Sequence, residues 1–117
     1  MSFESDLRTL LLAAPAVTAL VSTRIAADRI EQGAIRPFIV FTRSATERSQ
    51  TLNGGVESVR ATFDVQCWAD TRQAADAVAD AVVAALVAAN QVVITQDAAY
   101  DAELDLEASV LSVDWWP

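Results

Sequence analysis

Four carboxylates at alternate positions, Asp101, Glu103, Asp105 and Glu107, come nearest in this chain to a spacing that could do chemistry. Their alternation with Ala102, Leu104, Leu106 and Ala108 predicts one strand presenting all four on a single face. A divalent cation is the ligand such a face would attract. Residues two apart on a strand stand about 7 Å from each other, too far to converge on one ion without ligands from elsewhere. The pattern therefore reads as a solvated acidic face. Cys67 is the single cysteine, and it falls on the apolar side of an alternating segment with no cation beside it in the sequence. It reads as a small core residue, since a reactive thiolate needs a cationic neighbour or a helix N-terminus. The chain has no His and no Lys. That removes Ser-His-Asp and Cys-His hydrolases, His-ligated metals and His proton relays. No catalytic residue, metal or cofactor is expected.

Charge narrows the partners. Eight cations, all Arg, face sixteen carboxylates, giving a net charge of −8 over 117 residues. Such a surface repels nucleic acid and acidic membranes, because phosphate binding depends on clustered cations. The longest nearly apolar run, Ala77 to Ala89, is broken by Asp80 and is too short to span a bilayer. Glu4 and Asp6 occupy the place where a secretory signal would carry its basic and apolar regions, so the chain is expected to fold in the cytoplasm. The length suits one domain, residues 1–117, burying about two thirds of its unfolded surface without staples.

The elements that would position these residues follow from periodicity. Ser2 can cap a helix over Phe3 to Ala13, and Pro15 starts a short second one through Val21. Arg24 to Ile30 holds a short strand, and Glu31 to Arg36 a loop. Phe38-Ile39-Val40-Phe41 is apolar on both faces, the mark of a strand covered on both sides at that end. Asn53-Gly54-Gly55 is the strongest turn signal and joins this strand to the next, Glu57 to Trp68. The hairpin so formed has an apolar base and a polar tip, Thr46 to Glu57, that nothing in the pattern buries. The tip is either a mobile loop or an arm for a partner.

Val59, Ala61, Phe63, Val65 and Cys67 fall on one face of the second hairpin strand, which runs straight into a helix capped by Asp70 or Thr71. On that helix Ala75, Val78, Ala79, Val82 and Leu86 form the core stripe. Val83 and Val87 lie on the side of Asp76 and Asp80, an apolar surface that the core would leave open, and they read as a subunit contact. Val92-Val93-Ile94 opens another strand, with Tyr100 to Glu107 continuing the extended region. A last strand, Val110 to Trp116, sends Leu111, Val113 and Trp115 inward and Trp116 outward, where the indole caps a sheet edge or anchors a partner. The layout is α+β: a mostly antiparallel sheet with one long helix packed across it and a helix at the N-terminus.

In order and spacing these segments resemble the tail completion, or tail terminator, proteins of long-tailed bacteriophages and gene transfer agents. The likeness is carried by Leu10-Leu11-Leu12 with Pro15 and Val17 to Leu20, Arg24-Ile25 with Asp28-Arg29, and Pro37 to Phe41. It continues through Val65-Gln66-Cys67-Trp68-Ala69, Thr71, the Ala-rich helix from Ala74 to Leu86, and the late strand ending in Trp115. Where the family often has a proline this chain has Ala27. The resemblance implies a structural virion protein without catalysis, a homo-oligomer, most simply a hexameric ring, on the head-proximal end of the tail tube. Its implied partners are the tail tube protein and a head-completion or connector protein. Contacts are then expected at Arg48, Gln50, Leu52, Asn53, Gly54, Val83, Val87 and Trp116, with Asp101, Glu103, Asp105 and Glu107 lining the lumen. A reading from another class is a cytosolic small-molecule-binding or enzymatic domain, dimeric through a sheet edge, with Asp64, Gln66 and the late carboxylates in its pocket. A third keeps the virion and makes the chain a head-completion or tube subunit.

Overall fold

The chain folds as α1 (Phe3–Ala13), α2 (Pro15–Val21), β1 (Ile25–Ala27), β2 (Phe38–Gln50), β3 (Val56–Ala69), α3 (Arg72–Ala88), β4 (Val92–Asp101) and β5 (Leu106–Trp115). The computed structural model describes residues 3–29, 35–50 and 56–116, with the backbone alone at 47–50 and 56–59. The strands form one sheet in the order β1-β2-β3-β5-β4. β1 runs parallel to β2, and every other pair is antiparallel. The architecture is the α+β layout that the sequence predicts, with a parallel edge that it did not reveal.

Alternation divides the sheet into two unlike faces. Ile39 and Phe41 of β2, Phe63, Val65 and Cys67 of β3, and Leu111, Val113 and Trp115 of β5 all point into the main core. Leu7 and Leu11 of α1, Val17 and Val21 of α2, and the stripe Val78, Ala79, Val82 and Leu86 of α3 close over them. Phe41 and Phe63 meet edge to face, with ring centroids 5.9 Å apart at 74°, an arrangement that suits the ring quadrupoles. On the other face Phe38, Val40 and Leu106 gather with the half-buried Trp68 into a small cluster that none of the helices joins. The two-sided apolar start of β2 serves both clusters.

Local signals fix the long helix at each end. Thr71 is the N-cap, accepting a 3.1 Å hydrogen bond from the amide of Ala74, a contact worth about 1 kcal/mol. At the far end Asn90 takes φ 62°, the left-handed position that asparagine tolerates. The amides of Asn90 and Gln91 then close back onto the carbonyls of Val87 and Leu86, so the last turn leaves few orphan acceptors.

Three expectations need correction. The segment from Tyr100 to Glu107 is not one strand: β4 ends at Asp101, residues 102–105 turn, and β5 begins at Leu106. Asp101, Glu103, Asp105 and Glu107 therefore do not share a strand face. Asp101 Oδ1 accepts from the amides of Glu103 (3.0 Å) and Leu104 (3.2 Å), and Asp105 takes φ 53°, so two of the four carboxylates build the turn itself. Val83 is half-buried and packs against the main core, whereas Val87 is 60 % exposed. Leu52, Asn53 and Gly54 lie outside the described residues, as does most of the loop expected at Glu31 to Arg36.

Candidate assembly surface

The hairpin of β2 and β3 outgrows the sheet that roots it. β3 is paired with β5 only from Ala61 to Ala69, and β2 with β1 only at Ile39, Val40 and Phe41. Beyond these points, among the described residues, the two strands pair with each other alone, from Glu47 opposite Arg60 to Gln50 opposite Val56. The principal extents of the molecule are 52 × 29 × 23 Å. A two-stranded ribbon is marginal in water by itself, so this arm depends on its root. Arg48 and Gln50 belong to it through the backbone of β2.

The root is held on both strands. On β2 the register shifts between Arg43 and Ala45, and there Ser44 Oγ donates to the Thr62 carbonyl at 3.1 Å. A bulge at this place bends the ribbon where it leaves the sheet. Arg43 reaches α1, pairing with Glu4 at 2.9 Å and lying over the Phe3 ring at 5.7 Å. On β3, Arg60 donates to Asp114 of β5 at 3.1 Å, Thr62 Oγ1 donates to the other oxygen of the same carboxylate at 3.2 Å, and the guanidinium lies 5.6 Å from the centre of the Trp116 ring. Gln91 fixes the backbone of Trp116 by two bonds, at 2.7 and 2.8 Å. The outward Trp116 is thus 43 % exposed and also engaged within the chain.

At the opposite end of β5 a second knot joins α3 to the β4–β5 pair. Arg72, in the first turn of α3, donates to the carbonyls of Ala108 (2.5 Å) and Ala99 (2.9 Å) and to the Glu107 carboxylate (2.6 Å). Ser109 donates to Asp76 at 2.5 Å. Glu107 is therefore neutralised by a cation, unlike the carboxylates of the turn beside it. Tyr100 donates to Asp105 at 2.8 Å, and this hydrogen bond, followed by slight burial and the nearby carboxylates, raises the phenol pKa. Arg72, Asp76 and Ser109, together with Gln96, Asp97 and Ala98, line a shallow open cleft between α3 and β4.

Charge is segregated along the chain. The eight Arg and eight carboxylates of the first 72 residues cancel, while the stretch from Gln73 onward holds the other eight carboxylates and no cation. The whole net charge of −8 thus resides after Arg72, the first residue of α3, in the rest of that helix, β4, β5 and their links. The Cys67 thiol is buried, and burial pushes its pKa up to about 12. Gln66 is taken up by the Trp68 indole N–H at 3.1 Å. Among the described residues no group of three or more Cys, Asp and Glu side chains is placed to hold a metal ion, and no helix is long and apolar enough to cross a membrane.

Sequence reasoning found the arm, the core stripe and the outward tryptophan. It missed the knots, which join residues 18 to 54 positions apart. Only the spacing of Arg72 and Asp76, one helical turn, hinted that one of them forms.

The fold is thus an α+β sheet with helices on one face and a two-stranded arm rooted by polar contacts. Family comparison makes this specific: residues 5–117 match the family described as tail completion protein gp17, and the chain belongs to that family, structural proteins of phage tails. Among solved structures, a chain from the virion of a native gene transfer agent particle shares the fold, with a TM-score of 0.77 and 18 % identity over 97 % of this chain and 92 % of that one. No curated protein sequence matches.

Proposed function

We propose that this chain, as one tail-terminator-like domain over residues 1–117, caps the head-proximal end of the tail tube. It ends polymerisation there and offers a surface to the head-completion or connector protein. The working form is a homo-oligomeric ring, most simply of six, folded and assembled in the host cytoplasm and residing at the head-tail junction of the virion. Family membership supports a tail role. The observation that carries the finer reading is the arm, whose strands between Ala45 and Val59 have no third strand among the described residues. A subunit that must contact different neighbours on its two sides needs two unlike patches, and the arm and the exposed Val87 supply them.

In the ring, Asp101, Glu103 and Asp105 line the lumen with Glu107 behind them. The carboxylates then repel DNA phosphates over about one Debye length, roughly 8 Å at physiological salt. The subunit works as structure, with no cofactor, no catalysis and no tight nucleic-acid or membrane binding. The test is assembly on purified tails with the tip deleted from Ser49 to Val56, and separately with Val87→Asp. Both are expected to abolish or weaken capping and head joining. Normal capping by both variants would remove these surfaces from the interface.

A further inference from the structure

Among the described residues two strand edges are left without a partner strand. β4 pairs with β5 alone, and its outer side faces no other strand among the described residues. β2 beyond Phe41 pairs with β3 alone. An open edge is a row of amide donors and carbonyl acceptors that accepts another strand unless a bulge, a proline or a lysine blocks it. On β4 the register shift at Ile94 interrupts only the beginning. From Thr95 to Asp101 the strand is regular and holds neither Pro nor Lys, and Gln96, Ala98 and Tyr100 stand exposed on it. That is about 23 Å of open edge.

Charge selects what can lie on it. β4 and β5 together carry Asp97, Asp101, Glu107 and Asp114 and no Arg. Two β4 edges meeting about a twofold axis would set these aspartates against each other with no cation on either strand, and facing like charges destabilise a strand pair. β2 differs: its residues 45–50 carry Glu47 and Arg48, no net charge and one cation to set beside the β4 aspartates, while Arg43 is already paired with Glu4. We propose that the open edge of β4 receives the arm of a second copy, with β2 residues 45–50 adding to Thr95–Asp101 as a further strand. The inference rests on the ring reading above and supplies the acceptor for the arm. Donor and acceptor are different surfaces of one chain, so the contact is heterologous and repeats from copy to copy until it closes. The cation-free half of one copy then faces an Arg-bearing strand of the next.

Disulfide trapping on tails lacking the protein tests this. Thr46→Cys and Ala98→Cys change exposed side chains, and the native Cys67 is buried and silent. Mixed, bound to tails and oxidised, the two variants are expected to give a linked dimer that neither gives alone. Capped tails without that mixed dimer would overturn this inference and leave the proposed function standing. A dimer from Ala98→Cys alone would overturn it as well, in favour of edge-to-edge pairing. Failure of the unaltered protein to cap tails would overturn the proposed function and this inference together.

Discussion

The helix-covered face of the sheet and the hairpin arm are built from the same two strands, yet they are held by different means. Within the sheet, Ile39 and Phe41 of β2 and Phe63, Val65 and Cys67 of β3 lie in the core closed over by three helices. Beyond Ala45 and Ala61 the same strands lose their outer partners, and what aims the ribbon is a set of polar contacts at its root: Arg43 with Glu4, Ser44 with Thr62, and Arg60 with Asp114. Apolar burial grows with area and hardly depends on direction, whereas hydrogen bonds and ion pairs contribute little energy and fix geometry. One region therefore supplies stability, and the other spends its residues on orientation.

The largest effect should come from the covered face. Phe63→Ala removes a fully buried ring from its edge-to-face contact with Phe41 and is expected to cost about 3 to 5 kcal/mol in denaturant unfolding. Thr46→Ala on the arm should stay within about 0.5 kcal/mol. Equal losses at the two positions would erase the distinction between the regions.

An intermediate effect is expected where polar contacts serve the core rather than the arm. Arg72→Met keeps much of the side-chain length and deletes the bonds to Ala99, Ala108 and Glu107. With the Arg72 side chain 37 % exposed, the loss should be about 1 to 2 kcal/mol, visible as a lower denaturation midpoint with unchanged m. Amide exchange should quicken at the start of α3 and in the β4–β5 pair while the arm root is untouched. Faster exchange confined to the arm would reverse the assignment.

The smallest effect concerns pH. The folded Cys67 thiol holds its proton to about 12, against the usual 9.0, so between those values the unfolded chain has lost a proton that the folded chain keeps. Stability from this group is then fully present below pH 9 and falls as pH rises, by up to about 1.4 kcal/mol per unit. Cys67→Ala should flatten the fall between pH 9 and 10 relative to the parent protein. An unchanged slope would place the thiol in contact with solvent.

The covered face was legible in the sequence because burial leaves a period: two for β3 and 3.6 for α3, with Thr71 marking the join. The arm was legible because apolar alternation stops before the turn. The β4–β5 turn was not, since Ala102-Glu103-Leu104-Asp105 contains neither Gly nor Pro and keeps the alternation of a strand. Its signals were Asp101, which can bond the amides ahead of it, and Asp105, which tolerates the left-handed conformation. The parallel pairing of three-residue β1 has no periodic signature at that length. The exposure of Val87 was legible from its place on the helix. The open position expected of Val83 was misread because helical angle alone places it beside Val87, whereas it packs half-buried against the main core.

The burial of Cys67 has a further consequence once the chain is read as part of a released particle. Such a particle leaves a reducing cell interior for an oxidising medium and must outlast storage there without repair. The one sulfur able to form mixed disulfides, that of Cys67, is buried in the main core and kept in the unreactive thiol form. Oxidation of this sulfur thus waits on opening of the core around it, whatever the redox poise of the surroundings.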